Sequence, residues 1–292
     1  MSSNSVYNFR WVYRELLAGS AYPKRSEEVE WLSYSQNITN IISFEPIDDL
    51  RDVMGTIKLL RICHQDILFN DGEEPTREQA DLFVKITDEC LAGNLPLLCH
   101  CKAGRGRTGT MLVYYLMTRF GYTLDQGFDA ISNTVQERDQ INFLYVYARE
   151  LEATRNKAET FTAELAREYK SLKLDQDRAM IFWSGPMAIR GIRAASDVDV
   201  LVTDDYYEEL LKVYPDCETK PGKIAVGKVG ICRGDARLCE SVDEAMEHSQ
   251  IIQGMNFMAL PDVTRLKMHR RSPKDFADIV MIQDYLYKTS IT

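Results

Sequence analysis

The chain has 292 residues, more than one domain of ordinary size needs, and its 45% hydrophobic and 27% charged residues suit two folded domains rather than a disordered polymer. A net charge of −9 works against nonspecific binding to nucleic acid or an anionic membrane surface, so an anionic substrate has to be attracted by a local concentration of cations. No stretch approaches the ~18 consecutive apolar residues of a membrane span, the start lacks the apolar run of a signal peptide, and seven scattered cysteines form neither a disulfide framework nor a zinc spacing, so a cytoplasmic protein with reduced thiols is expected.

The first well-signalled element opens at Thr76, where Thr76 and Gln79 make a capping box and Leu82, Phe83, Ile86, Cys90 and Leu91 recur at helical spacing until Gly93. The apolar run LPLLCHC that follows has the length of a strand. After a glycine-bearing loop, RTGTMLVYYLMTRFG reads as a strongly apolar helix stopped by Gly121. From Asn142 the pattern is helical and increasingly charged, without a proline or glycine to break it, and the domain boundary is set inside it: residues 1–156 and 157–292.

The second half begins again with a strand, AMIFW, a turn, SGP, and a short helix. The strand VDVLV, the helix YYEELLKVYP and a hairpin over KPGKIAVGKVGICRGD continue a separate α/β unit. The last helix has Ser272 as N-cap, Pro273 at its first position, Asp275 in its first turn, and Phe276, Ile279, Val280, Ile282 and Leu286 on its expected buried side.

The chemistry concentrates in HCKAGRGRTG, residues 100–109, between the predicted strand and helix. A helix N-terminus carries unpaired N–H groups and a partial positive charge, so this loop can cradle a phosphate with Lys102, Ala103, Gly104, Arg105, Gly106 and Thr108, the glycines permitting the turns. The same field, with Arg107, favours the ionised sulfur of Cys101, a nucleophile toward phosphorus. Arg107 can return across the loop and hold two phosphoryl oxygens with its planar fork. Thr108 can donate a hydrogen bond to the sulfur, and His100 is read as an orienting residue. A cysteine and an arginine six apart would by themselves fit an inert thiol in a surface turn, but the full string in this context selects the nucleophile.

HCxxGxxRTG resembles the signature of the cysteine-dependent protein tyrosine phosphatases, and NFRWVYRELLAGSAYPKRSEEVEWL is similar to the opening of small atypical dual-specificity phosphatases, a likeness running to about Glu150. The resemblance implies an α/β domain with a central sheet flanked by helices, a phosphorylated substrate and no cofactor. It also implies an aspartate on an upstream loop as general acid, for which Asp71 fits the spacing without a gap while Asp66 needs an insertion. Gln140 resembles the family's late glutamine that positions water, without the usual arginine and proline ahead of it. With Lys102 and Arg105 the loop is similar to that of phosphoinositide phosphatases; the two cations either select highly phosphorylated small molecules or keep an exposed loop soluble. Phosphoproteins, inositol phosphates and phosphorylated nucleotides or RNA ends all stay open as substrates.

SGPMAIRGIRAASDVDVLV places Asp197 and Asp199 on one side of a strand, and two such carboxylates can bind Mg²⁺. A glycine turn followed by Asp-x-Asp resembles the nucleotidyltransferases, as does LKMHRRSPKDFADIVMIQDYL near the end. This implies a small nucleotidyltransferase-like α/β domain with nucleotide phosphate at Ser184 and Gly185. Lys267 and Lys274 are nucleotide contacts or exposed charges. Active members carry a third carboxylate on the following hairpin, where this chain has Gly230; Asp235 and Glu240 lie beyond it. The expectation is therefore a two-domain phosphatase, with a metal-dependent transferase or a noncatalytic phosphate-binding scaffold as rivals.

Overall fold

The computed structural model describes residues 5–47, 50–132, 134–234 and 242–290, with only the backbone of 154–162. By its contacts the chain divides into a first unit, Met1–Leu151, and a second, Glu152–Thr292. The division falls inside one continuous helix, which is why the sequence offers no break there.

The first unit runs β1 Arg10–Tyr13, β2 Leu17–Ala21, α1 Ser26–Gln36, β3 Asn40–Ser43, α2 Arg51–Leu59, β4 Cys63–Asp66, α3 Arg77–Ala92, β5 Leu97–Cys101, α4 Gly106–Phe120 and α5 Leu124–Ala130, and α6 Arg138–Ser171 starts within it. Its five-stranded sheet has the order β1-β2-β5-β3-β4. All neighbours are parallel except the β1–β2 hairpin. Central β5 is buried at every residue, as a parallel strand covered on both faces must be, and this accounts for its unbroken run LLCHC. Its register sets Cys101 beside Ala21 and His100 beside Ser43, so the loop after β5 emerges at the carboxyl edge of the sheet, where open α/β sheets carry their sites.

Helix α3 has the expected capping box at Thr76 and Gln79. Its buried stripe includes Ala80, Phe83, Val84 and Thr87, whereas Leu82, expected inside, is exposed. Helix α4 is buried along almost its whole length and ends with Gly121 in the left-handed conformation, φ 70°. Buried Asp88 ties the two together: it accepts from the Tyr115 hydroxyl at 3.0 Å and pairs with Arg119 at 2.8 Å.

The second unit contains β6 Ala179–Phe182, α7 Gly185–Ala188, β7 Val198–Val202, α8 Asp204–Val213, β8 Glu218–Lys220, β9 Lys223–Val226, β10 Val229–Arg233, α9 Val242–Glu247, β11 Gln250–Ile252, β12 Met255–Phe257, α10 Leu260–Arg270 and α11 Pro273–Ser290. Its seven-stranded sheet has the order β11-β12-β6-β7-β10-β9-β8. One face packs on Tyr169, Tyr207 and Phe257, the other on Trp183, Met258 and Leu266. In α11 the buried face departs from expectation: Phe276 is half-buried and Leu286 exposed, while Asp275 and Asp278 are fully covered. Those carboxylates are buried because Arg193, Lys267 and Arg270 meet them there, which no hydrophobic pattern signals. Among the described residues no helix is long and apolar enough to cross a membrane.

Removing Asp88 leaves Arg119 and the Tyr115 hydroxyl without their carboxylate. Asp88→Ala is therefore expected to destabilise the first unit by about 2–4 kcal/mol, read as a lower urea midpoint.

Candidate active site and a second, cationic cleft

Two segments distant in sequence shape the loop between β5 and α4. Gly104 has φ 67°, and a Cβ there would lie 2.2 Å from the Ser20 carbonyl carbon and 2.3 Å from the Ala21 nitrogen, so only glycine lets the loop lie on β2. The N-terminal segment grips the outside: Asn8 Nδ2 donates to the Ala103 carbonyl at 3.1 Å and Arg10 Nη1 to the Gly104 carbonyl at 3.0 Å. Arg105 donates to the Tyr7 hydroxyl at 3.2 Å. Lys102, Ala103 and Arg105 are exposed on the loop, and Gly106 is half-buried. No side chain caps the N-terminus of α4, so its first amides keep their capacity for an outside acceptor.

Cys101 closes β5, buried, with its carbonyl accepting from Tyr22 N at 2.8 Å. Arg10 lies within electrostatic reach of it: burial lowers the basicity of Arg10, and the Coulombic interaction with Cys101 opposes that. Arg107 is 3% exposed and donates through Nη1 to the carbonyls of Phe44 and Phe69, at 3.0 and 3.1 Å. Its Nη2 is ion-paired with Glu45, and its Nε stands 3.3 Å from Asp71 Oδ1. Neither Nε nor Nη2 makes an aligned hydrogen bond among the described residues.

Asp71 is thus brought to Arg107, on an exposed segment. Asp66 ends β4 and faces His64 Nε2 at 3.6 Å. Gln140 is fully buried; its Nε2 donates to the Glu73 carbonyl at 3.1 Å, and its Oε1 is so close to Gly106 that a Cβ there would come within 2.8 Å. Thr108 is buried, but its hydroxyl makes no hydrogen bond among the described residues, so the expected bond to the sulfur is not formed here. His100 is fully buried with Nε2 2.8 Å from Ser43 Oγ, which also meets His64 Nε2 at 2.6 Å. Burial, with His64 and Arg107 adding repulsion, pushes its pKa down to about 3, so the ring is neutral. Sequence reasoning missed Tyr7, Asn8, Arg10, Ser43, Glu45 and His64, whose partners at the site are distant from them in the chain.

In the second unit a cleft of about 520 Å³ is lined by Ser184, Asp197 and Asp199 and by Arg193, Lys220, Lys223, Lys267, Arg270 and Lys274, besides Phe182 and Trp183. Gly185 is not part of this lining: a Cβ on it would lie 2.2 Å from Ile181 Cγ2, so glycine serves helix-to-strand packing there. Lys267 is 1% exposed and bound to Asp278 at 2.6 Å, so it is no surface charge, while Lys274 is exposed at the rim.

The two carboxylates expected to bind Mg²⁺, Asp197 and Asp199, both line this cleft. Among the described residues no group of three His, Cys, Asp or Glu could hold a metal ion. Gly230 pairs in register with Asp199, and Lys223 Nζ occupies the ground beside both, 3.2 Å from Asp199 Oδ1 and 3.0 Å from a Cβ placed on Gly230. A divalent ion at Asp199 would have to displace an ammonium already paired with that carboxylate. Asp235 and Glu240 lie outside the described residues.

Residues 19–121 match the family model of the polymorphic toxin system DSP-PTPase phosphatase. Over 60 residues the chain is 40% identical to the tyrosine-protein phosphatase cdc-14 of Caenorhabditis elegans, a stretch covering 20% of this chain and 8% of that protein. It is 41% identical over 61 residues to the dual specificity protein phosphatase CDC14C of Homo sapiens, covering 20% and 13% of the two chains. The match thus spans a small part of these relatives. Similar solved structures include PTPMT1 in complex with PI(5)P, at 18% identity and TM-score 0.44 over 50% of this chain and 97% of that one. Another is the core catalytic domain of the PP-IP phosphatase SIW14 from S. cerevisiae, at 21% identity and TM-score 0.41 over 52% and 93%.

The buried neutral imidazole makes a sign-definite prediction. The unfolded chain protonates His100 near its ordinary 6.5 and the folded chain only near 3, so its stability cost is absent above about pH 6.5 and grows as pH falls toward 3. Urea unfolding of the first unit should show stability falling with acid across that window, and His100→Asn should remove about one proton's worth of the slope.

Proposed function

We propose that the first unit is a phosphatase domain of the dual-specificity, tyrosine-phosphatase-like type and that it hydrolyses phosphomonoesters through a phosphocysteine at Cys101. The observation that carries the reading is the Arg107 guanidinium, buried at the N-terminus of α4 with Nε and Nη2 lacking aligned partners and Asp71 at 3.3 Å.

In the first step the Cys101 sulfur attacks phosphorus, the bond to the ester oxygen breaks, and that oxygen leaves with a proton from Asp71. The equatorial oxygens lie against the uncapped amides of α4 and the fork of Arg107, which match the charge of the transition state. In the second step water gives its proton to Asp71 and attacks phosphorus, and the sulfur leaves as thiolate. Gln140, lodged against Gly106 with Oε1 unpartnered, is the group to hold that water. His100 fixes the end of β5 through Ser43 and carries no proton in the reaction. Every group used belongs to the chain, so the reading requires neither metal nor cofactor.

Phosphoproteins come first as substrates, because the relatives that share this stretch are named as protein phosphatases. Exposed Lys102 and Arg105 leave inositol phosphates and phosphorylated nucleotide or RNA ends as the classes to compare in a phosphate-release screen. The rival reading, a Mg²⁺-dependent nucleotidyltransferase with an accessory phosphatase domain, ranks second because Lys223 holds Asp199. A noncatalytic scaffold ranks last, since it gives Asp71 no task.

Cys101→Ser should abolish phosphate release from p-nitrophenyl phosphate while EDTA leaves the wild-type rate intact; full activity in the variant would overturn the reading. Asp71→Asn should lower kcat by about 10²-fold or more on an alkyl phosphate, whose leaving group needs the proton, and much less on p-nitrophenyl phosphate.

A further inference from the structure

The cleft of the second unit is strongly cationic within an acidic chain. Six cations line it: Arg193, Lys220, Lys223, Lys267, Arg270 and Lys274. Four carboxylates stand against them, Asp197 and Asp199 in the lining and Asp275 and Asp278 behind it. Two positive charges are therefore left over among the described residues.

Their arrangement separates fixed from available charge. Asp278 holds Arg193 Nη2 at 3.0 Å and Lys267 Nζ at 2.6 Å. Asp275 holds Arg270 at 2.5 Å, and Asp199 holds Lys223 at 3.2 Å. Lys220 and Lys274, both exposed at the cleft, make no ion pair among the described residues. Trp183 stands in the wall with φ 55°, a left-handed backbone that a bulky residue adopts only under strain. Its ring carries the Arg270 guanidinium at 4.4 Å and the Lys267 ammonium at 5.4 Å. Cations positioned from behind, with strain retained in the wall, describe a site built for an anion rather than a solvated face.

We propose that this cleft binds a small molecule bearing two or more phosphates without a divalent cation. The Lys223 ammonium stands where a metal would sit and neutralises Asp199, and Lys220 and Lys274 meet the ligand's outer phosphates. The volume of about 520 Å³ suits a small molecule and exceeds what a single phosphate fills. The proposal is independent of the chemistry at Cys101.

The test is a calorimetric titration of the full chain in EDTA with inorganic pyrophosphate and with ATP, the two probes separating bare diphosphate recognition from a need for the nucleoside. An Arg107→Ala chain, disabled at the first unit's loop, should still bind pyrophosphate or ATP. Adding Lys220→Ala and Lys274→Ala should weaken that binding about tenfold or more, as expected for two lost charge-assisted contacts. Because Arg107→Ala strips a buried ion-pair network, the lysine pair is also tested alone. That variant should show the same weakening of the cleft's EDTA-insensitive binding, any remaining binding at the first unit's loop being removed by competition with inorganic phosphate, while hydrolysing p-nitrophenyl phosphate at the wild-type rate. Binding that appears only with Mg²⁺, or that survives both lysine substitutions unchanged, would overturn the proposal.

Discussion

A guanidinium that is 3% exposed has to be surrounded by oxygen, and the first unit is organised around meeting that need for Arg107. The carbonyls come from Phe44, just past β3, and from Phe69, past β4; the carboxylates are Glu45 and Asp71 from the same two segments. The strand order that seats β3 beside β5 therefore determines the chemistry, because it carries the ends of β3 and β4 to the first turn of α4. The group that would stabilise a transferring phosphoryl unit and the group that would protonate its leaving oxygen are held by each other beforehand.

The cradle depends on close approach as much as on charge. Gly104 lets the loop rest on the backbone of Ser20 and Ala21, and Gly106 leaves room for the Gln140 amide. The N-terminal segment then fastens the loop from outside through Asn8 and Arg10. Four cations surround the sulfur in sequence or space, yet Lys102 and Arg105 are exposed while Arg10 and Arg107 are held within, so the site carries positive charges of two different kinds.

The second unit uses the inverse arrangement. There the carboxylates of α11 are buried and the cations they hold line a cleft, so a helix read as amphipathic in the ordinary sense is a support for fixed positive charge. The two aspartates of the β7 segment line that cleft, and a lysine from β9 is paired with one of them.

How much was legible in the sequence follows from the range of the forces involved. The capping box at Thr76, the buried run of β5, the stop at Gly121 and the position of Cys101 and Arg107 between strand and helix are local matters of spacing and backbone conformation, and the sequence determined them unaided. It also singled out Asp71, by spacing to a resembled motif. Only the tertiary structure decided that Glu45 and Arg10 share the loop and that Lys223 lies against Asp199, because each is a contact between residues whose separation in the chain carries no periodic signal. The physical reason is that register brings such groups together and burial then obliges them to pair, and register is a property of the assembled sheet.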